Sequence, residues 1–464
     1  MRSTRRLLDP HSSLGRYSSF ATLIVAALAT VGAVASCSSD NELGAIEPGE
    51  DAGPETSTTA DDAAPFDAGV TDAGADAARP PRDAAPFDGG PLPIVCATPP
   101  CATSLTTIYV PSDVGRGEGF CALLDDGTVA CWGINANGQL GRGDLVDSAE
   151  PKRVVGLTDI VQIEHSCALD KDGGVWCWGT GPFLRNDAGA QTREVTPLKL
   201  ALPPAKHLGM GNDVGCAVVD DGVLCWGSNA NGQVAPFDVA ASSATLPPRL
   251  AVLPAGPPVR DILVGKAVFV LREDGLTLSW GASPSLGRVS SLNPDPQPLP
   301  TPLSDISSMD LTSDTACATS GGVAYCWGRA IGVPHNFERK LPTPVATPEP
   351  VVQIATTRAY QTSSLGLNID QPQRWCAVGA SGAVYCWGFN AGGQAGDGTT
   401  QHAVEPVKVQ GLPAPAAEVK TLPDATCALL TSGKVHCWGT NYYGQLGNRK
   451  FREPSLVPQE VVLP

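Results

Sequence analysis

The dipeptide Trp-Gly recurs seven times, at Trp132, Trp178, Trp226, Trp280, Trp327, Trp387 and Trp438, at intervals of 46 to 60 residues. A phrase returning at that period marks a repeat architecture, in which each unit buries its apolar face only against its neighbours. Every copy closes the same phrase. In Cys121-Ala-Leu-Leu-Asp-Asp-Gly-Thr-Val-Ala-Cys131-Trp132-Gly133, two apolar runs flank Asp125-Asp126-Gly127. Gly there supplies the positive φ that a tight hairpin loop needs. The turn returns as Asp170 to Gly173, Asp220 to Gly222, Glu273 to Gly275, Ser320 to Gly322, Ala380 to Gly382 and Thr431 to Gly433. An apolar stretch such as Ile160 to Ile163 precedes each hairpin, and Pro-Val runs such as Pro151 to Val155 follow it, which makes about four strands per repeat. With 51 Gly and 42 Pro against 17% charged residues, the chain is expected to be all-β.

The fifteen cysteines fit this plan. Six hairpins each carry a pair: Cys121 with Cys131, Cys167 with Cys177, Cys216 with Cys225, Cys317 with Cys326, Cys376 with Cys386, and Cys427 with Cys437. Cys96 and Cys101 flank a Pro-rich loop, and Cys37 stands alone near the N-terminus. In the fourth hairpin Phe269 and Ser279 replace both members of the pair, as expected if the two bond each other. Cross-strand neighbours lie within disulfide reach, so six hairpin bridges are expected, each contributing roughly 2 to 3 kcal/mol in chain-entropy terms, with Cys96 and Cys101 closing the Pro-rich loop as a seventh pair. Reduced core thiols or zinc ligands are the alternatives, and zinc would require pairs from different hairpins to meet in a tetrahedron.

The phrase Cys-Ala-Leu, a Gly turn, Val-x-Cys-Trp-Gly, followed by Asn135-Ala136-Asn137-Gly138-Gln139-Leu140-Gly141, resembles the regulator of chromosome condensation repeat. The resemblance covers about Ser104 to Pro464. Asn441 to Gly447 repeats the loop signature well, Asn229 to Val234 and Asn390 to Gly396 in part, while the second, fourth and fifth copies have lost most of it. The family implies a seven-bladed β-propeller of about four strands per blade around a channel. Because one Trp recurs at the same place in every repeat, these side chains are expected to be wedges between blades rather than ligand cages. Ring closure is expected from the strand near Ser455 to Leu463 completing one blade with the strand near Thr106 to Val110.

Ahead of the repeats, Arg2, Arg5, Arg6 and Arg16 precede an apolar run from Phe20 to Ala35, the layout of a secretory signal and short for a bilayer span. Val34-Ala35-Ser36-Cys37 resembles a bacterial lipobox, which implies cleavage before Cys37 and its acylation. Residues 38 to 95 are dominated by Asp, Ala, Gly and Pro, with Asp62 to Asp67 recurring as Asp83 to Asp88. Such a segment cannot build a core and is expected to be a disordered acidic tether. The domain reading is therefore a signal peptide over 1–36, a lipid-anchored linker over 37–95 and the propeller over 96–464. Attachment to the membrane is expected through the lipid alone, on an exported protein of the cell envelope, by the outer-membrane route.

The formal charge of −16 opposes a nucleic-acid partner, because phosphate binding draws on clustered Lys and Arg. About −11 of it sits in the tether and about +3 in the N-terminal signal segment, leaving the propeller near −8. No metal, cofactor or catalytic motif emerges. The six His are scattered without His-Glu-x-x-His spacing, and Asp170-Lys171-Asp172-Gly173 is read as a hairpin turn rather than a calcium loop. Strand alternation sends the first and third connections of every blade to one face. That face is expected to collect the binding residues Phe183, Arg185, His335, Arg358, Arg374, Trp375, Phe389, Tyr442 and Tyr443, of the aromatic and Arg types that anchor interfaces. The resulting expectation is a monomeric, non-catalytic module recognising a protein or envelope glycan. An inhibitor of an extracellular enzyme and a polysaccharide-acting enzyme with carboxylates in the channel are the alternatives.

Overall fold

The computed structural model describes residues 87, 89–108, 119–184, 191–211, 213–234, 245–312, 314–330, 337–358, 360–364 and 367–464. The expected signal peptide, Cys37 and the linker through 86 lie outside the described residues, as do Arg185 and His335.

The described residues form seven four-stranded antiparallel sheets, each in sequential strand order, and one inserted two-stranded hairpin. Blade 1 comprises Ala102–Ile108, Gly119–Leu124, Val129–Gly133 and Ser148–Arg153; blade 2, Ile160–Glu164, Cys167–Asp170, Val175–Gly181 and Thr192–Lys199. Blade 3 comprises Ala205–Met210, Val214–Val219, Gly222–Ser228 and Thr245–Ala251; blade 4, Val259–Val264, Ala267–Arg272, Thr277–Gly281 and Asp295–Pro300. Blade 5 comprises Ile306–Leu311, Thr315–Ser320, Val323–Ala330 and Phe337–Val345. Blade 6 comprises Val351–Thr356, Arg374–Gly379, Val384–Gly388 and Ala403–Lys408; blade 7, Ala416–Thr421, Ala425–Leu430, Val435–Gly439 and Ser455–Val461. The first strand of every blade neighbours the first strands of both flanking blades all the way round, so these seven strands line the axis of a closed propeller.

The second and third strands are the cysteine hairpins. In the ladder Cys121 directly opposes Cys131, Cys167 opposes Cys177, Cys216 opposes Cys225, Cys317 opposes Cys326, Cys376 opposes Cys386, and Cys427 opposes Cys437. Each of these pairs is bridged as a disulfide with its Cα atoms 4.1 Å apart, and Cys96 is bridged to Cys101 across 5.8 Å. Every hairpin bridge therefore stays within one blade, and no sulfurs from different hairpins meet as a zinc site would require. Phe269 faces Ser279 at the same register in blade 4. The Ser279 hydroxyl donates to Leu286 O, and Phe269 packs edge-on against Trp327 of the next blade, so this blade replaces a covalent staple by a larger apolar wedge.

Ring closure differs from the expectation. The C-terminal strand pairs with Val435–Gly439 of its own blade, and Ala102–Ile108 pairs with its own second strand, so no sheet joins the termini. Blades 7 and 1 instead meet by the bonds used at other junctions. At six of the seven junctions the carbonyl of the turn glycine accepts the N–H that opens the next blade: Gly127 from Ile160, Gly173 from Ala205, Gly275 from Asp305, Gly322 from Val351, Gly382 from Ala416 and, at closure, Gly433 from Ala102. The Trp wedges repeat the pattern on the opposite face. Nε1 of Trp178, Trp226, Trp280, Trp327 and Trp438 donates to a loop carbonyl of the preceding blade, and Trp132 donates to Gln445 O of blade 7 at 3.0 Å. With these junctions satisfied locally, a shared sheet is unnecessary to bury the seam.

The linker boundary also shifts. Phe87 packs against the cluster between blades 6 and 7, with its ring where a Cβ on Gly322 would stand. Leu92 approaches Gly382, Ile94 packs into the seam between blades 7 and 1, and Val95 N donates to Thr431 O. Leu92, Ile94 and Cys96 turn inward while Pro91, Pro93 and Val95 face out, the alternation of an extended chain. This segment straps the hairpin-turn face across blades 5, 6, 7 and 1, so among the described residues contact with the ring is already made at Phe87. Those three neighbouring turns, Ser320 to Gly322, Ala380 to Gly382 and Thr431 to Gly433, are uncharged, which suits a segment approaching from an acidic stretch.

Candidate functional site

Two places concentrate polar or exposed groups: the axial channel and the loop face opposite the strap.

The channel wall is stitched between first strands. Gln162 exchanges two bonds with the Leu208 backbone, and Gln353 does the same with Val419. Arg260 Nη2 donates to Ile306 O, Asp310 accepts from Thr356 N at 2.7 Å, Glu418 accepts from Leu105 N at 3.0 Å, and His165 N donates to the Thr106 hydroxyl. Glu164, Asp261, Asp310 and Glu418 also share the channel with Lys420, whose Nζ lies 3.5 Å from Glu418. Burial opposes the charge on Lys420, yet Glu418, Asp310 and Glu164 hold it protonated well above its ordinary range. Burial raises all four carboxylates, against the lowering influence of Lys420 and, for Glu164 and Asp310, of His165.

These shifts carry a sign. A carboxylate whose folded pKa exceeds its unfolded one stabilises the fold fully below the unfolded range, and that contribution is lost as pH rises through the folded value. Glu164 keeps 36% of its side chain open, with His165 Nε2 3.6 Å away. Glu164→Gln is therefore expected to raise the melting temperature by about 2 °C near pH 8 and to leave it unchanged near pH 4. A lower melting temperature at the higher pH would mean that Glu164 is a stabilising ion-pair partner instead.

On the loop face, the Asn-x-x-x-Gln signature is a folding device. Asn135 Oδ1 accepts from Leu140 N while Gln139 Oε1 accepts from Asn137 N, and the Asn441/Gln445 and Asn390/Gln394 loops repeat both bonds. The loop so shaped presents the Gln carbonyl to the next Trp.

The anticipated binding residues divide. Phe183 is buried among residues of blades 2 and 3, and Trp375 is buried against Trp387 at 6.2 Å. Arg374 is 1% exposed, and its guanidinium reaches Leu422 O, Ala425 O, Thr426 Oγ1 and Gln394 O. These three are interior groups because they lie within or beside strands that face a neighbouring blade. Phe389 is half-buried and stacks on His402 at 5.0 Å, and Arg358 is half-exposed at the base of the inserted hairpin Tyr360–Ser364 and Leu367–Gln371. Tyr442 is 51% exposed and Tyr443 half-buried.

Around Tyr442 the structure adds residues that the sequence reading passed over. The blade 7 loop 440–454 meets the start of the fourth strand of blade 1: Arg449 N donates to Ala149 O at 2.7 Å and its Nε lies 3.3 Å from Glu150. This loop exposes Tyr442 and Phe451 (48%), and the blade 1 loop 134–147 exposes Leu145 and Val146. Arg449 and Arg452 both take left-handed backbone angles, φ 67° and 60°, a conformation that non-glycine residues hold only where surroundings impose it. The available signal was Asn448-Arg-Lys-Phe-Arg452, a cationic run around an aromatic in an acidic chain.

The comparisons with known proteins agree with this geometry. The chain carries matches to the RCC1 repeat. Models of the regulator of chromosome condensation (RCC1) repeat match residues 126–169 and 381–421, and a second form matches 164–184 and 424–445. The 126–169 match runs from one hairpin turn into the second strand of the next blade, so the RCC1 sequence unit straddles two structural blades. The ultraviolet-B receptor UVR8 of Arabidopsis thaliana is 28% identical over 236 residues, 48% of this chain and 49% of that protein. The human E3 ubiquitin-protein ligase HERC2 is 27% identical over 316 residues, 55% of this chain and 6% of HERC2. The chain thus spans about half of UVR8 and a small part of HERC2. Among solved structures, human WBSCR16 superposes with a TM-score of 0.60 at 18% identity, covering 73% of this chain and 95% of that one. Yeast RCC1 (Prp20) bound to Kap60 gives 0.58 at 18% identity, covering 72% and 83%. These structures share the propeller fold.

Proposed function

We propose that this protein is an exported, lipid-anchored and non-catalytic binding module that engages a protein or envelope glycan through its loop face. The exposed pair Tyr442 and Phe451, on loops braced by Arg449 across the seam between blades 7 and 1, carries the reading. Aromatic and Arg side chains on a rigid scaffold are the types that dominate binding energy. Seven close cysteine pairs suit an oxidising compartment, and among the described residues no helix is long and apolar enough to cross a membrane. The apolar run before Cys37 and its lipobox-like ending support acylation as the attachment. A propeller of this fold binding Kap60 in yeast supports a protein as the class of partner. The inhibitor reading draws on the inserted hairpin 360–371, which adds a two-stranded finger to blade 6. The channel carboxylates support an enzyme less well, since Asp310 and Glu418 accept backbone N–H groups that hold neighbouring blades.

Capture of envelope components by the secreted protein tests this. The double variant Tyr442→Ala, Phe451→Ala is expected to bind its captured partner about 30-fold more weakly, with Glu164→Gln unaffected. Retained binding by the double variant together with loss in Glu164→Gln would move the site to the channel.

A further inference from the structure

The seven disulfides differ in access. All twelve blade cysteines are 0 to 3% exposed, and Cys101 is fully buried, but Cys96 is half-buried at the rim of the strap. Cys101 is hemmed in by Thr98 O at 3.5 Å and Ser432 O at 4.0 Å, with its Cβ against Gly433. Among the described cysteines, solvent therefore reaches a bridge sulfur best at Cys96. An exposed carboxylate stands beside it, Asp125 Oδ2 lying 3.6 Å from Cys96 Sγ.

We propose that Cys96 is a covalent thiol-exchange site for small thiols, favouring those that carry a positive charge. Displacement requires the attacking sulfur to approach along the axis of the bond it breaks. Of the two cysteines, Cys96 is the one with exposed surface from which to approach. A thiolate bonds to Cys96 Sγ, the Cys96–Cys101 bond breaks, and Cys101 Sγ leaves with the bonding pair and takes a proton from water. The product is a mixed disulfide on Cys96 and a free thiol on Cys101. A second thiolate attacks the sulfur of the bound small molecule, and the two thiols end as one disulfide while the protein bridge gains two electrons. Asp125 attracts an ammonium-bearing thiol and repels an anionic one. Opening the bridge releases the short loop that ties Asp125 of blade 1, through Cys101 N and O, to the strap whose Val95 bonds Thr431 of blade 7. The strap then loosens locally while the blades keep their staples.

The test uses the full secreted protein in native buffer, exposed separately to cysteamine and to glutathione at matched thiolate concentration, then alkylated and mapped by mass spectrometry. An adduct on Cys96 with alkylated Cys101, forming at least about tenfold faster than labelling at any blade cysteine, is the expected result. Cysteamine should react faster than glutathione, and Asp125→Asn should narrow that gap. Adducts on Cys101, blade cysteines labelled as early as Cys96, or no adduct short of unfolding would overturn the site. A faster reaction with glutathione would overturn its charge preference.

Discussion

Arg374→Ala is expected to lower the stability of the ring by about 3–5 kcal/mol, read as a shift in denaturant midpoint. Where the other blades place a small or medium residue opposite the Trp-Gly glycine, Gly119, Val214, Ala267, Thr315 or Ala425, blade 6 places Arg374 opposite Gly388. Its guanidinium donates to Leu422 O and Ala425 O of blade 7 and to Gln394 O, the same carbonyl that receives Trp438 Nε1 and the Thr426 hydroxyl. Truncation takes away the guanidinium donors of Leu422 O, while Ala425 O keeps Leu422 N and Gln394 O keeps Trp438 Nε1 and the Thr426 hydroxyl, and it opens a void beside a Trp wedge. Lysine keeps the charge but cannot fork, so Arg374→Lys should recover less than half of the loss. A loss under about 1 kcal/mol for the alanine variant would mean that water enters and replaces the guanidinium.

Trp132→Ala is expected to cost a similar amount, about 3–5 kcal/mol, and to match Trp178→Ala within about 1 kcal/mol. Trp132 is fully buried, stacks on Phe120 at 6.0 Å and donates to Gln445 O, just as Trp178 donates to Gln139 O between blades 1 and 2. Equal costs follow if the seam between first and last blades is built like an internal junction. The comparison is made by thermal unfolding of the two variants side by side. A much smaller cost at Trp132 would show that the ring tolerates an open seam, and a much larger one that closure depends on this wedge alone.

Sequence reading was most accurate where contacts span about ten residues. Cys121 must oppose Cys131 once Gly127 sets the turn, because a period-two ladder leaves no other partner at that register, and Cys177, Cys225, Cys326, Cys386 and Cys437 find their partners by the same rule. The same reasoning explains why Phe269 and Ser279 change together. It failed at residues such as Arg374, Trp375 and Phe183, whose types suit an interface but whose strands abut the next blade. It also missed Arg449 and Phe451, which become a candidate site only through the neighbouring blade's Ala149 and Glu150.

From the sequence by itself came the seven repeats, the hairpins, the cysteine pairing and the wedge role of Trp, consequences of local register and of a repeat that buries surface only on its neighbours, while the ring of blades was what the family resemblance implied. The tertiary structure alone decided how the ring closes, where the strap runs, which acids line the channel and which aromatics stay outside. Those outcomes depend on groups brought together from distant positions along the chain, and no local periodicity encodes such an encounter.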